Sequence, residues 1–141
     1  YFELNYFKQL LNSPDYNASI LIAIKDGKIA AGAVFTVTQR FMQYHLAGTA
    51  ASYIYDTPMK LILDEARLKA NELQLDFLHL GGGVGGSDED SLFRFKSGFS
   101  KLFSQFRTWQ YIVNPSVYQE LVNSNGILES DFFPLYGAPK K

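Results

Sequence analysis

The chain has 141 residues, of which 47% are hydrophobic and 19% are charged, and its formal net charge is −1. This composition predicts a single globular domain, and the near-neutral charge argues against attraction of nucleic acid to the whole surface, although a local basic patch stays open. Because the sequence contains no cysteine, it excludes a disulfide framework, a thiol nucleophile and a zinc–thiolate site.

The first half of the chain predicts a helix followed by three antiparallel strands. Apolar residues recur at helical spacing between Phe2 and Leu11, and Ser13-Pro14 ends that helix. Asp26-Gly27 supplies the two positive φ angles that a tight hairpin needs. The predicted strands of this meander cover residues 19–25, 28–38 and 41–48.

The second half predicts helices that alternate with short strands. After a loop over residues 48–55, Pro58 stands near the first turn of a helix over 58–74, which leads to a buried strand at 76–80. Ser87 is the predicted N-cap of the next helix, over residues 88–99. The remaining predicted elements are a strand at 105–113, a helix at 115–122, a turn at Asn125-Gly126 and a short strand at 131–135.

This order of elements predicts an α/β fold of the α+β type, with a central mixed sheet and helices on both faces. The helix over 58–74 joins neighbouring strands that run parallel. No apolar run is long enough to span a membrane, and no signal peptide is visible. The chain opens with Tyr1 rather than methionine, inside an apolar pattern, so we expect it to be a piece of a longer protein.

A glycine-rich segment with the sequence Gly81-Gly82-Gly83-Val84-Gly85-Gly86 separates the predicted buried strand from the next helix. Glycine lets backbone approach a ligand closely and adopt positive φ, and the start of a helix presents unpaired N–H groups to an anion. Downstream, two cations stand among aromatic residues in Phe93-Arg94-Phe95-Lys96-Ser97-Gly98-Phe99. These parts predict an acyl-transfer or phosphate-binding site, or a loop that only lets the strand and helix pack closely.

The element order, the motif Leu80-Gly81-Gly82-Gly83 and the Phe-Lys-x-Gly-Phe motif at residues 95–99 resemble the GNAT-like acyltransferase domain of the Fem family. Fem proteins are the bacterial transferases that move aminoacyl groups from tRNA to peptidoglycan precursors, and the resemblance covers residues 20–136, approximately. It implies that residues 1–141 are a single GNAT-like domain, most of the second of a tandem pair, whose opening elements and whole first domain are absent. We therefore expect a cytoplasmic protein whose isolated second domain is inactive.

The resemblance also implies roles for individual residues. The family reaction passes through a tetrahedral intermediate that carries an oxyanion. The resemblance implies that Lys96 either stabilises this oxyanion or contacts the RNA terminus. Phe95, which belongs to the same motif, is the second expected catalytic residue. Physically, Lys96 shares a helix face with apolar neighbours, which desolvates it in part and strengthens its interaction with negative charge. The expected substrate-binding residues are Gly81, Gly82, Gly83, Arg94 and Lys101.

The expected partners are the acceptor end of tRNA, a muropeptide precursor and the absent N-terminal domain, and no cofactor or metal is expected. The acidic residues 88–90 could bind a metal, but an acidic first turn is already explained by the positive end of the helix dipole. Homo-oligomerisation through exposed aromatics stays open. Two interpretations are open for a cluster of aromatic residues: it packs in a core or on the absent domain, or it stacks on the terminal bases of tRNA. The cluster consists of Phe93, Phe95, Phe99, Phe103, Phe106 and Trp109.

Two other functions stay open. One is an N-acyltransferase that uses acetyl-CoA or another acyl thioester, but residues 48–57 lack the Gln/Arg-x-x-Gly-x-Gly/Ala pattern typical of such enzymes, which favours the tRNA donor. The other is a non-catalytic half that supports the absent domain, in which Lys96 and Arg94 are ordinary solvated residues and Arg94 pairs with Asp90. His45 and His79 lie in predicted strands and are expected to be structural, so no general base is assigned.

Overall fold

The computed structural model describes residues 2–84, 87, 89–126 and 129–139, and it divides into two compact units, Tyr1–Lys101 and Leu102–Lys141. The first unit contains a four-stranded sheet with the strand order β1-β2-β3-β4, flanked by helices. Its elements are α1 (Leu4–Leu11), β1 (Asn17–Lys25), β2 (Lys28–Thr38), β3 (Phe41–Thr49), a 3₁₀ helix (Ala51–Asp56), α2 (Pro58–Glu72), β4 (Phe77–His79) and α3 (Ser91–Ser97).

The sheet is mixed, as predicted. β1, β2 and β3 form an antiparallel meander, and Asp26 and Gly27 at its first turn have φ angles of 51° and 71°. Two positive φ angles in sequence define the tight hairpin that the Asp-Gly pair favours. After the crossover through α2, β4 pairs with β3 in parallel, with His79 opposite Gln43.

The core of this unit lies between α2 and one face of the sheet. Leu63 is 2% exposed and Ala66 is fully buried on the helix, and they face a sheet surface that includes Phe35 and Met42, each 1% exposed. Alanines in the sheet leave room for the helix to approach. The buried face of α2 consists of Pro58, Met59, Ile62, Leu63, Ala66 and Ala70, which follows the helical period of the sequence.

α1 covers part of the opposite face. Neighbouring residues of a strand point to opposite faces, so His45 lies on the face away from the buried Tyr44. There His45 Nε2 lies 2.7 Å from the hydroxyl of Tyr6, and the two rings stack. This contact ties α1 to β3, so helices lie on both faces of the sheet.

The second unit is built around α4 (Pro115–Asn125) and a short 3₁₀ helix (Leu135–Gly137). Asn114 caps α4 by accepting a hydrogen bond from the Val117 amide at 3.1 Å, and Gly126 ends the helix with a φ of 69°. The Tyr118 hydroxyl accepts a hydrogen bond from the Leu135 amide at 2.9 Å, which ties the two helices together. The Asn125-Gly126 turn is therefore confirmed, three residues beyond the predicted end of the helix.

Two predicted strands are wrong. Residues 105–113 form neither a helix nor a strand, and Trp109 is 87% exposed. Residues 131–134 contain bends, and Leu135 already belongs to the 3₁₀ helix. Residues 105–113 carry the aromatic and β-branched residues typical of strands, and residues 131–135 carry two phenylalanines. That preference reflects packing on a pleated surface, and neither segment pairs with a strand among the described residues.

Candidate functional site

The candidate site begins where β4 ends. The Asp76 amide donates to the Arg40 carbonyl at 2.9 Å, and the Arg40 guanidinium binds the Asp76 carboxylate at 2.5 Å. These bonds fix the start of β4 beside the turn between β2 and β3. Because β4 has only three residues, the chain leaves the sheet directly after His79 and enters the glycine bend, residues 81–83.

Two glycines of the bend are needed for different reasons. Gly81 has a φ of 72°, a conformation that residues with a side chain rarely adopt. A Cβ on Gly83 would collide with the carboxylate of Asp90, whereas a Cβ on Gly82 would meet no atom within 4 Å. The bend is therefore shaped by one backbone angle and by one close contact with Asp90.

Asp90 closes the far side of the bend. Its carboxylate accepts hydrogen bonds from the Phe93 amide at 2.9 Å and from the Val84 amide at 3.1 Å. Asp90, not Ser87, is thus the N-cap of α3, and Ser87 instead accepts a hydrogen bond from the Glu89 amide at 3.1 Å. The prediction that this helix start offers free N–H groups to an anion is wrong at Phe93, because a carboxylate already occupies its amide.

Lys96 reaches across to the near side of the bend. Its ammonium donates a hydrogen bond to the Gly82 carbonyl at 2.7 Å and lies 5.4 Å from the centre of the Tyr44 ring. The Lys96 nitrogen also lies 3.5 Å from the position of a Cβ on Gly81. An ammonium has three donors, and the bond to Gly82 uses one of them. The half-buried side chain is therefore directed at the bend and not at bulk water.

The surroundings of Lys96 change its proton affinity. Burial against the sheet lowers its pKa, and the negative charge of Asp90 opposes that shift. Burial also raises the pKa of the Tyr44 hydroxyl, so the ring under the ammonium stays neutral to higher pH than usual. Desolvation strengthens the interaction of a cation with any negative charge that forms beside it, as expected from the apolar neighbours of this lysine.

Phe95 points the other way, into the core. It packs against the buried cluster between α2 and the sheet, and its ring meets Phe99 edge to face at 5.2 Å. It also lines a cavity of about 350 Å³ together with Thr49, Ile54, Thr57, Pro58 and Met59. The structure thus places Phe95 beside the candidate site as a wall, with its neighbour Lys96 at the bend.

The other predicted cations contact different groups. Arg94 is exposed and pairs with Glu89, whereas the predicted partner was Asp90. Lys101 donates to the Ser97 carbonyl at 3.1 Å, a bond that satisfies a carbonyl at the end of α3. In the described part of the chain, Lys96 is the one of these three cations whose nitrogen contacts the glycine bend. Gly85, Gly86 and Asp88 lie outside the described residues.

Sequence reasoning missed a polar group on β3 and β4. His79 Nδ1 lies 2.6 Å from the side-chain oxygen of Gln43, and the Gln43 side-chain nitrogen donates to the Tyr44 carbonyl at 3.0 Å. That nitrogen lies 3.8 Å from a Cβ placed on Gly81, so Gln43 borders the bend beside Lys96. In the sequence, Gln43 stands between two apolar positions of β3, which indicates that it lies on the face away from buried Met42 and Tyr44. Its pairing with His79 depends on the register between β3 and β4, which the sequence does not indicate.

No protein-family model matches this sequence, and a search of curated proteins finds no significant match. Within residues 2–84, 87, 89–126 and 129–139, no three histidine or acidic side chains cluster in a way that could hold a metal ion. Over the same residues, no helix combines the length and the apolar character needed to cross a membrane.

Proposed function

We propose that this chain is a GNAT-type acyl-transfer domain, similar to those of the Fem family, that delivers an aminoacyl group from tRNA to an amine of a peptidoglycan precursor. One observation carries the proposal: the ammonium of Lys96 is held half-buried at the glycine bend, over the Tyr44 ring. A fixed, partly desolvated cation is what a developing oxyanion needs.

The proposed chemistry follows from that placement. The acceptor amine attacks the carbonyl carbon of the aminoacyl ester, and the carbonyl oxygen becomes negatively charged. Lys96 has donors beyond the one bound to Gly82, and its ammonium stabilises this oxyanion until the ribose oxygen leaves. Gly82 orients the ammonium, and Tyr44 supports it from below through its ring face.

The fold supports the same proposal. A mixed sheet whose parallel strands β3 and β4 are joined by α2 is compatible with a GNAT-like domain, and the glycine bend follows the last of these strands. The bend is less open than the sequence indicated, because Asp90 fills its far side. That carboxylate would repel a phosphate, so the geometry favours a neutral ester carbonyl over a phosphate group as the bound moiety.

A second candidate is an N-acyltransferase that uses an acyl thioester such as acetyl-CoA. The cavity beside Phe95 favours it, since Thr49, Ile54, Thr57 and Met59 come from the segment in which such enzymes hold their donor in the resemblance. The cavity has no charged side chain in its lining, which suits an apolar chain or acyl group.

The experiment gives the full-length protein two donors separately, tRNA charged with a mixture of radiolabelled amino acids and radiolabelled acetyl-CoA. The acceptor is a muropeptide that carries a free amine. We expect label to move from tRNA to the muropeptide, with tRNA binding that weakens as salt rises. Transfer from acetyl-CoA alone would support the second candidate. Transfer from neither donor, with an intact fold, would contradict both and favour a non-catalytic half.

A further inference from the structure

A chain of hydrogen bonds runs from the Tyr44 carbonyl through the Gln43 side chain to His79. A backbone carbonyl can only accept a hydrogen bond, so the Gln43 atom that faces the Tyr44 carbonyl, at 3.0 Å, is the side-chain nitrogen. This fixes the orientation of the amide. The Gln43 side-chain oxygen then faces His79 Nδ1 at 2.6 Å.

The amide orientation determines which nitrogen of His79 carries the proton. An amide oxygen accepts and cannot donate, so His79 Nδ1 must be the donor. In the neutral ring the lone pair then resides on Nε2, the nitrogen that can accept a proton. His45 differs, because its Nε2 is already bonded to the Tyr6 hydroxyl.

The same hydrogen-bonded chain links His79 to the glycine bend at which Lys96 lies. His79 precedes Gly81 by two residues, and Gln43 and Lys96 each bring a nitrogen within 4 Å of the side-chain position of Gly81. The register between the parallel strands sets Gln43 directly opposite His79. The His79 imidazole, through Gln43, and the Lys96 ammonium are thus both linked to Gly81, at the end of the parallel strands.

We propose that His79 Nε2 is the proton acceptor of the acyl transfer and that Gln43 is its positioning residue. The inference rests on the proposed function, because it needs an amine that attacks an acyl carbon. As the C–N bond forms, the amine loses a proton to His79 Nε2. The C–O bond to the ribose then breaks, and the leaving oxygen takes that proton from His79, so the ring returns to its neutral state.

The first test needs no substrate. Nitrogen-15 NMR of the full chain at about pH 8.5, about two units above the ordinary pKa range of imidazoles, distinguishes the two neutral tautomers. We expect His79 to carry its proton on Nδ1, and the variant Gln43→Leu to lose this preference. Gln9→Leu, on the exposed side of α1, is the matched control and leaves the signal unchanged. A proton on Nε2 in the unaltered chain would overturn the inference.

The second test measures single-turnover amide formation from charged tRNA in the full-length protein. His79→Ala should lower the rate by about 10²–10⁴-fold, and millimolar imidazole should restore part of it, whereas His45→Ala should leave the rate within about twofold. Imidazole should not rescue Lys96→Met, which lacks the cation. Gln43→Leu should give a smaller loss than His79→Ala.

The outcomes separate this inference from the proposed function. An active protein whose rate is unchanged in His79→Ala contradicts the role of His79 and leaves the function intact. A folded protein that forms no amide contradicts both, even if the NMR tautomer is as expected. A loss in His79→Ala without rescue by imidazole, together with a shifted unfolding midpoint, would identify His79 as structural.

Discussion

Two regions of the first unit are held together in different ways. Between α2 and the sheet, apolar side chains such as Leu63 and Phe35 are almost completely buried. At the glycine bend, side chains bind backbone instead: Asp90 binds two amides, and Lys96 binds the Gly82 carbonyl. The first region is stabilised by apolar burial, which does not depend on direction. The second is stabilised by a few hydrogen bonds, whose strength depends on the angle and distance between the atoms.

The difference bears on where the proposed chemistry would take place. A core of this kind tolerates substitutions that keep size and polarity, because its stability depends on buried apolar area and packing. The bend depends on the positions of single atoms, and it holds the one cation that the structure directs at Gly82 among the described residues. We therefore expect changes in the core to affect mainly stability, and changes at Lys96 to affect mainly activity.

The largest stability effect is expected in the core. Leu63→Ala should lower the free energy of unfolding by about 3 kcal/mol, because Leu63 is only 2% exposed and its truncation leaves a cavity in the core. Leu61 is the matched control on the same helix and is 66% exposed, so Leu61→Ala should change it by less than about 0.5 kcal/mol. Urea unfolding of both variants measures this, and equal losses would contradict the assigned faces of α2.

A smaller effect is expected at the bend. Gly83→Ala places a methyl group against the Asp90 carboxylate and displaces the cap of α3, which should cost about 1 kcal/mol. Gly82→Ala meets no atom and should be neutral or slightly stabilising, since it restricts the unfolded chain. Thermal unfolding of the two variants is the measurement. A stable Gly83→Ala with an intact Phe93 amide hydrogen bond would show that Asp90 does not shape the bend.

The smallest effect is a pH dependence of stability. Burial lowers the pKa of Lys96 in the folded chain below its ordinary 10.5. Between this lowered folded pKa and 10.5, the unfolded chain binds more protons than the folded chain. The contribution of Lys96 to stability is therefore full above 10.5 and is lost as pH falls through the lowered folded pKa. The difference in unfolding free energy between the unaltered chain and Lys96→Met should rise with pH across that window. A flat difference would show that burial does not lower the pKa of Lys96, and a falling difference would show that contacts of the charged form raise it; either result would contradict the prediction.

The sequence predicts the core well and the site only in part. The apolar period of α2 and the Asp26-Gly27 hairpin are local signals, and both are confirmed. The cap of α3 is different, because Ser87 and Asp90 are both good caps and the choice depends on the approach of Asp90 to Gly83. Local sequence does not contain that contact.

The polar pair on the sheet is a longer-range case. Gln43 and His79 are brought together by a strand register that is set across α2, so neither residue indicates the other in the sequence. The strand predicted at 105–113 is wrong for a related reason. The strand preference of single residues does not determine whether a partner strand lies beside them in the fold. The helical period predicts that Lys96 is partly desolvated, but its contact with Gly82 depends on the path of the bend, which no local pattern encodes.

The most direct test is the single-turnover rate of aminoacyl transfer in the full-length protein with Lys96 altered. We predict that Lys96→Met lowers the rate by about 10²–10³-fold at unchanged stability near pH 7, the loss expected when one oxyanion donor is removed. Lys96→Arg should lose less, because it keeps the charge, and Lys28→Met on the exposed start of β2 should lose nothing. A Lys96→Met protein that transfers at the unaltered rate would contradict the account.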